Sequence, residues 1–282
     1  GYAGSRPVRV GNGARNQIQL DVYGEVVDAL YEYVQRGGKL DGDTRRMVRA
    51  FGEFVCRNWD QPDHGIWEIR SECRNHTHSR AMCWVALDRL LRLHESGHLK
   101  IPVKKFRENR DAIAETIESG GWNEKLGSYV STIGGDELDA VLLRLGRCGY
   151  ADPASERMRS TCHVIYQRLG VDGLLYRYLD TADGLPPGEG AFGICSFWGV
   201  IARALAGDLD GAVSAFENLL GYANDLGLYA EEIDPVSGDA LGNFPQAFTH
   251  VGLVDAALTI QQVREGRMER EKKGHAPAKE TV

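Results

Sequence analysis

The sequence predicts an all-α protein built as a closed, two-layer ring of helical hairpins. Three observations predict it. Nine segments carry helical periodicity, and none reads as a long alternating strand. The segments alternate between helices that are apolar almost all round and helices with a single apolar face. The more apolar kind begins near residues 16, 77, 136, 190 and 245, a spacing of roughly 55–60 residues that marks a repeated unit burying its faces against its neighbours.

Taken in order, residues 16–36 open the series as a largely apolar helix, and 44–59 follow as an amphipathic one. Met47, Phe51, Phe54 and Val55 line one face of the second helix, opposite its charges. The pair 77–96 and 103–118 repeats the pattern. Residues 136–147 come next, opened by Asp136, Glu137 and Asp139, where carboxylates suit the positive end of a helix or reach the cavity. Residues 153–169 follow. Segment 190–206 is apolar on nearly every side, so protein must surround it. Its successor, 209–224, sets Ala212, Val213, Phe216, Leu219 and Leu220 on one face. Residues 245–265 close the series with PQAFTHVGLVDAALTI at their start.

The connections alternate as well. Long loops rich in Gly, Trp, Tyr, Arg and carboxylates precede the more apolar helices, at 1–15, 61–76, 121–135, 173–189 and 226–244. Shorter turns, such as Gly37 to Asp43, join each to its amphipathic partner. All the long loops therefore emerge on one face, which makes that face the expected site. A ring of six hairpins needs twelve helices, so nine imply that the first three are missing from a partial domain spanning 1–266. Residues 267–282 are charged and nearly free of apolar side chains, the composition of a disordered tail.

Composition narrows the function. The 282 residues are 43% hydrophobic, enough for a sizeable core. A net charge of −7 argues against a nucleic-acid partner, and no apolar run is long enough to span a membrane. The six cysteines lack C-x-x-C spacing and read as reduced thiols of a cytoplasmic protein. His76 and His78 lack a further ligand cluster and read as loop and helix-cap residues, so neither metal nor cofactor is expected. Trp84, Phe197 and Trp198, at helical spacing in apolar helices, read as core.

Two loops carry candidate chemistry. In 61–76, Trp67 places an aromatic surface beside the Glu68 carboxyl, and an apolar neighbour favours the protonated form that a general acid needs. In 226–244, the cluster Glu231, Glu232 and Asp234 can supply a base. A pair of carboxylates flanking the bond is the minimum machinery for glycoside hydrolysis.

Five stretches, in order, carry a resemblance: GYAGSRPVRVGNGA (1–14), GIWEIR (65–70), LYRY (175–178), GEGAFGICSFW (188–198) and AEEIDPVSGDALGNFPQAF (230–248). With them the chain resembles glycoside hydrolase family 15, which comprises glucoamylases, glucodextranases and bacterial trehalases. The resemblance implies an (α/α)6 barrel and inverting hydrolysis of α-glucosides such as trehalose, maltose or short α-glucans. It implies Glu68 as general acid and Glu231 as general base, with Glu232 the alternative base. It also implies Arg177 near the hydroxyls of the terminal glucose, and Trp67, Glu189 and Phe248 lining the pocket. Arg6 and Arg9, in the first loop, face the site or pair with carboxylates. Ile69 follows the acid where fungal glucoamylases have a second carboxylate, which leaves room for trehalose or short glucosides. The family's W-x-R-D stretch and the amino-terminal β-sandwich of bacterial members are absent, as expected of a fragment or truncated reading frame. The alternative function is a catalytically impaired or carbohydrate-binding remnant. A terpenoid or zinc-dependent cyclase is opposed by the lack of D-D-x-x-D and of a Cys/His metal set.

Overall fold

The structure, a computed structural model, describes residue 6, residue 11 and residues 13–179 and 189–266. Among these the helices are α1 (Asp21–Gln35), α2 (Gly42–Asn58), α3 (Thr77–Glu95), α4 (Val103–Thr116), α5 (Arg144–Arg147), α6 (Glu156–Leu169), α7 (Gly193–Ala206), α8 (Leu209–Leu220) and α9 (Ala247–Arg264). The expected tail, 267–282, and most of the first loop lie outside the described residues.

Local chemistry sets the boundaries. Asp41, Ser155 and Asp208 each accept a backbone N–H from the first turn of α2, α6 and α8. Gly207, at φ 98°, ends α7 in the left-handed region that glycine enters without a Cβ clash. The inner helices follow one another as α1, α3, α5, α7 and α9, while α2, α4, α6 and α8 pack outside them. Side chains of α3 and α7 are buried on nearly every side. Gly24 of α1 lies so close to α3 that a Cβ there would collide with the Met82 carbonyl oxygen. The packing of helical hairpins is thus present, and ion pairs tie α5 to α1 and to α9. Arg144 of α5 reaches Glu25 of α1 at 2.5 Å, and Arg147 of α5 reaches Asp255 of α9 at 2.8 Å. The inner helices α1 and α9 keep apolar side chains at the surface: Val22 and Tyr33 on the first, Val251, Val254 and Leu258 on the second.

Three details differ from expectation. The helix expected over 136–147 is a 3-10 turn (Ala140–Leu143) running into the single turn of α5. The Ser131 N–H donates to the Glu137 carbonyl and the Ala140 N–H to the Arg177 carbonyl, so 136–139 follow neighbouring loops instead. Asp136 and Glu137 therefore open no helix, and Glu137 pairs with Arg74 at 2.5 Å. Met47 and Leu220, placed on buried faces by periodicity, are exposed at the rims of theirs. Short strands also appear at the loop face. The three-stranded sheet is β1 (Ala191–Phe192), β2 (Glu232–Ile233) and β3 (Ala240–Leu241), antiparallel in that order.

Candidate active site

The loop before α3 is stapled at its base. Buried Asp63 accepts the Leu20 N–H at 2.9 Å and the Ser79 hydroxyl at 2.8 Å, and its backbone exchanges two hydrogen bonds with Arg74. The Gln17 side-chain amide donates to the carbonyls of Glu68 (3.3 Å) and Ile69 (2.8 Å), tying the first loop to the same turn. Within that turn Glu68 has φ 52°, a left-handed conformation costly for a side chain with a Cβ.

Trp67 and Glu68 have different partners. Trp67 points inward: its indole N–H donates to Asp139 Oδ2 at 2.9 Å, and its ring meets Phe192 at 5.6 Å and Trp198 at 5.8 Å between centroids. Glu68 keeps 37% of its side-chain surface exposed and lies 4.0 Å from the Arg70 guanidinium. The Trp67 ring thus packs on buried aromatics, while the Glu68 carboxyl stays partly exposed beside Arg70.

Arg177 is buried beside this cluster. Its guanidinium lies 4.8 Å from the Phe192 ring centre and 5.7 Å from that of Trp67, and it donates twice to Glu189, once through Nε at 2.7 Å. Phe192 stands opposite Glu232 across the sheet. Glu232 Oε2 accepts the Gly190 N–H at 2.8 Å, and the Glu231 carbonyl accepts the Gly193 N–H. Burial raises the Glu232 carboxyl above the usual range. Glu189 and Glu231 add like charge, while the Gly190 N–H and Arg177 oppose the shift. Glu231 has a different anchor, since its Oε2 accepts from Asn243 through both the backbone N–H and the side-chain amide. Phe248, at the start of α9, is 39% exposed and meets Trp198 edge-on at 5.8 Å.

Trp67, Arg177 and Glu189 are therefore gathered beside Phe192, Phe248 meets Trp198, Glu68 lies on the turn next to Trp67, and Glu231 is joined to the start of α7 through its carbonyl. Arg6 is exposed, and nothing described sets it against the others; Arg9 lies outside the described residues. Trp198 is buried, as expected of core, yet it touches both Trp67 and Phe248. Asp139 is the residue sequence reasoning underrated. It is buried, and that burial pushes its carboxyl up to about 7, against bonds from the Val141 N–H and Trp67 and the charge of Arg177. His76 precedes α3 at the cap position but makes no side-chain cap bond. Among the described residues no group of three His, Cys, Asp or Glu side chains is placed to hold a metal ion.

Comparison with known proteins gives a consistent answer. The profile of "Glycosyl hydrolases family 15" matches residues 1–258. A trehalase of Mycobacterium tuberculosis is 40% identical over 267 residues, 94% of this chain and 39% of that protein. A trehalase of Mycolicibacterium smegmatis is 39% identical over 267 residues, 94% of this chain and 40% of that protein. The chain thus spans about two fifths of the length of these curated relatives. Among solved structures, a glycosidase variant in complex with glucose superposes with a TM-score of 0.74 at 19% identity, over 87% of this chain and 67% of that one, a likeness of fold.

Proposed function

The chain belongs to glycosyl hydrolases family 15, and from that premise we propose that it forms the acid–base site of an enzyme that hydrolyses α-glucosidic bonds with inversion, with α,α-trehalose as first substrate. The observation that carries the reading is the convergence of two carboxylate-bearing loops on one aromatic cluster. Trp67, next to Glu68, packs on Phe192, and Phe192 pairs across the sheet with the residue after Glu231.

The chemistry follows. The Glu68 carboxyl gives its proton to the glycosidic oxygen as the bond from that oxygen to the anomeric carbon breaks. The Glu231 carboxylate takes a proton from a water whose oxygen bonds that carbon from the other face. Anchoring Glu231 through Oε2 leaves the base oriented without using both its oxygens. Glu232 fits the base role less well, because its bond to Gly190 and its place in the sheet make it part of the scaffold. Arg177, fixed by Glu189, supplies donors for sugar hydroxyls, and Trp67 and Phe248 supply apolar surface for the ring faces. Trehalose is favoured because the relatives are named as trehalases and because Ile69, not a second carboxylate, follows Glu68. The cysteines are all free, which supports a cytoplasmic setting. No described helix is long and apolar enough to cross a membrane.

Since the chain covers about two fifths of these relatives, the activity is proposed for the protein to which these residues belong. The test is glucose release from trehalose, maltose and dextran. Cleavage of trehalose supports the reading, and cleavage of maltose or dextran alone moves the substrate. Sugar binding without release from any of them leaves a carbohydrate-binding role.

A further inference from the structure

We propose that Asp139 is a positioning residue for the acid half of this site, holding Trp67 by its indole N–H and thereby fixing the turn that presents Glu68. The inference rests on the hydrolase reading above and adds a residue that the reading does not require.

Asp139 lies 72 positions from Trp67 in sequence, and its carboxylate is used on both sides. Oδ1 accepts the Val141 N–H at 2.8 Å, which caps the 3-10 turn, and Oδ2 accepts the Trp67 indole N–H at 2.9 Å. Both partners are donors, so only a group with two acceptor oxygens satisfies them; an amide would set an N–H against an N–H on one side. The next peptide is bound as well, since the Ala140 N–H donates to the Arg177 carbonyl at 2.8 Å. One short stretch thus ties together the Trp67 turn and the segment carrying Arg177.

The tie matters because the Glu68 turn is strained. A left-handed non-glycine residue persists only where its surroundings over-determine it. Gln17 holds the turn from one side through two carbonyls, and Asp139 holds it from the other through the indole. The groups facing Asp139 are Arg177 and Cys195, with Arg74, His76, Glu137 and Tyr178 around the small adjoining cavity.

The experiment follows the indole N–H resonance of Trp67 by NMR in 15N-labelled protein, identified by its disappearance in Trp67→Phe. The expected result is a resonance protected from solvent exchange by its bond to Asp139, which shifts and loses that protection in Asp139→Asn. A resonance that keeps its position and its exchange protection in Asp139→Asn overturns the proposal whatever the activity. Where Asp139→Asn does not fold, the wild-type resonance decides, and an indole N–H that exchanges as freely as an exposed one overturns the contact. The kinetic arm uses trehalose: Asp139→Asn lowers kcat by roughly 10- to 100-fold with little change in KM, the scale expected of sub-ångström misplacement. The double variant with Trp67→Phe is then no slower than Trp67→Phe alone; independent, multiplying losses overturn the coupling. If the resonance behaves as expected and no α-glucoside is hydrolysed, the positioning contact stands and the hydrolase reading fails.

Discussion

Asn243 holds Glu231 by a single carboxylate oxygen, donating to Oε2 through its backbone N–H at 3.0 Å and its side-chain amide at 2.8 Å. The Glu231 N–H returns a bond to the Asn243 carbonyl at 2.9 Å, so the two residues are locked together. Glu231→Gln is therefore expected to lower kcat on trehalose by about 10²–10⁴-fold, the usual worth of a general base. Asn243→Ala removes one of the two anchoring bonds, and kcat should fall by about tenfold, since a bond to a charged group contributes about 1.5–3 kcal/mol. Steady-state kinetics of both variants, beside Glu232→Gln, decide the assignment. Near-normal turnover in Glu231→Gln with loss in Glu232→Gln would transfer the base to Glu232.

The stereochemistry of the product follows from a base that activates water. An inverting site holds its two carboxyl groups roughly 6.5–9.5 Å apart and a retaining site roughly 5–5.5 Å apart. Attack by water on one anomeric carbon of trehalose gives β-glucose from that ring, and the departing ring keeps its α configuration. Proton NMR in the first minutes of reaction should show the two anomers in equal amounts. α-Glucose alone would mean retention, and Glu68 and Glu231 would then lose their roles as acid and base.

The backbone at Glu68 carries a stability cost that can be measured apart from activity. A left-handed conformation costs an L-residue roughly 1–2 kcal/mol, and glycine escapes it. Glu68→Ala and Glu68→Gly both lack the carboxyl and should both be inactive. The glycine variant is nevertheless expected to be more stable than the alanine variant, by about 1 kcal/mol in urea unfolding. Alanine equal to or above glycine would show that the turn is not strained at this position.

These residues also show what the sequence made legible. Helical periodicity located the helices because burial repeats along them, and the long loops between them carry Trp67, Arg177 and Glu189, which the fold brings together. The family motifs pointed to Glu68 and Glu231 as candidate acid and base by type and order. Asp139 stayed ambiguous, because an acidic residue before an apolar run resembles any helix start, and its partner Trp67 is 72 residues away. The shortness of α5 was hidden for a related reason. Residues 136–139 have helical composition, but Ser131 takes the Glu137 carbonyl and Arg177 takes the Ala140 N–H that a helix there would use. Pairing across loops sets such details, and no local pattern encodes it.

Stability should depend on pH through a second buried carboxyl. Asp21 sits in the first turn of α1, where the helix dipole favours a carboxylate, yet it is only 4% exposed. Burial, then the nearby charges of Asp63 and Glu25, push its carboxyl up to about 7, against its own backbone hydrogen bond and the charge of Arg144. The folded state therefore holds this proton more tightly than the unfolded chain does. The stabilising contribution is fully present below about 3.8 and is lost as pH rises through about 7. At 1.36 kcal/mol per pKa unit, the full swing is at most on the order of 4 kcal/mol. Asp21→Asn keeps the shape and removes the proton, so its stability should fall less between pH 5 and pH 8 than the wild type's. Part of the slope should remain, because Asp139 is raised to about 7 by the same burial. Urea unfolding of the two proteins at both pH values measures the difference. An unchanged slope in Asp21→Asn would mean that the carboxyl is ionised in the fold and that Arg144 outweighs its burial.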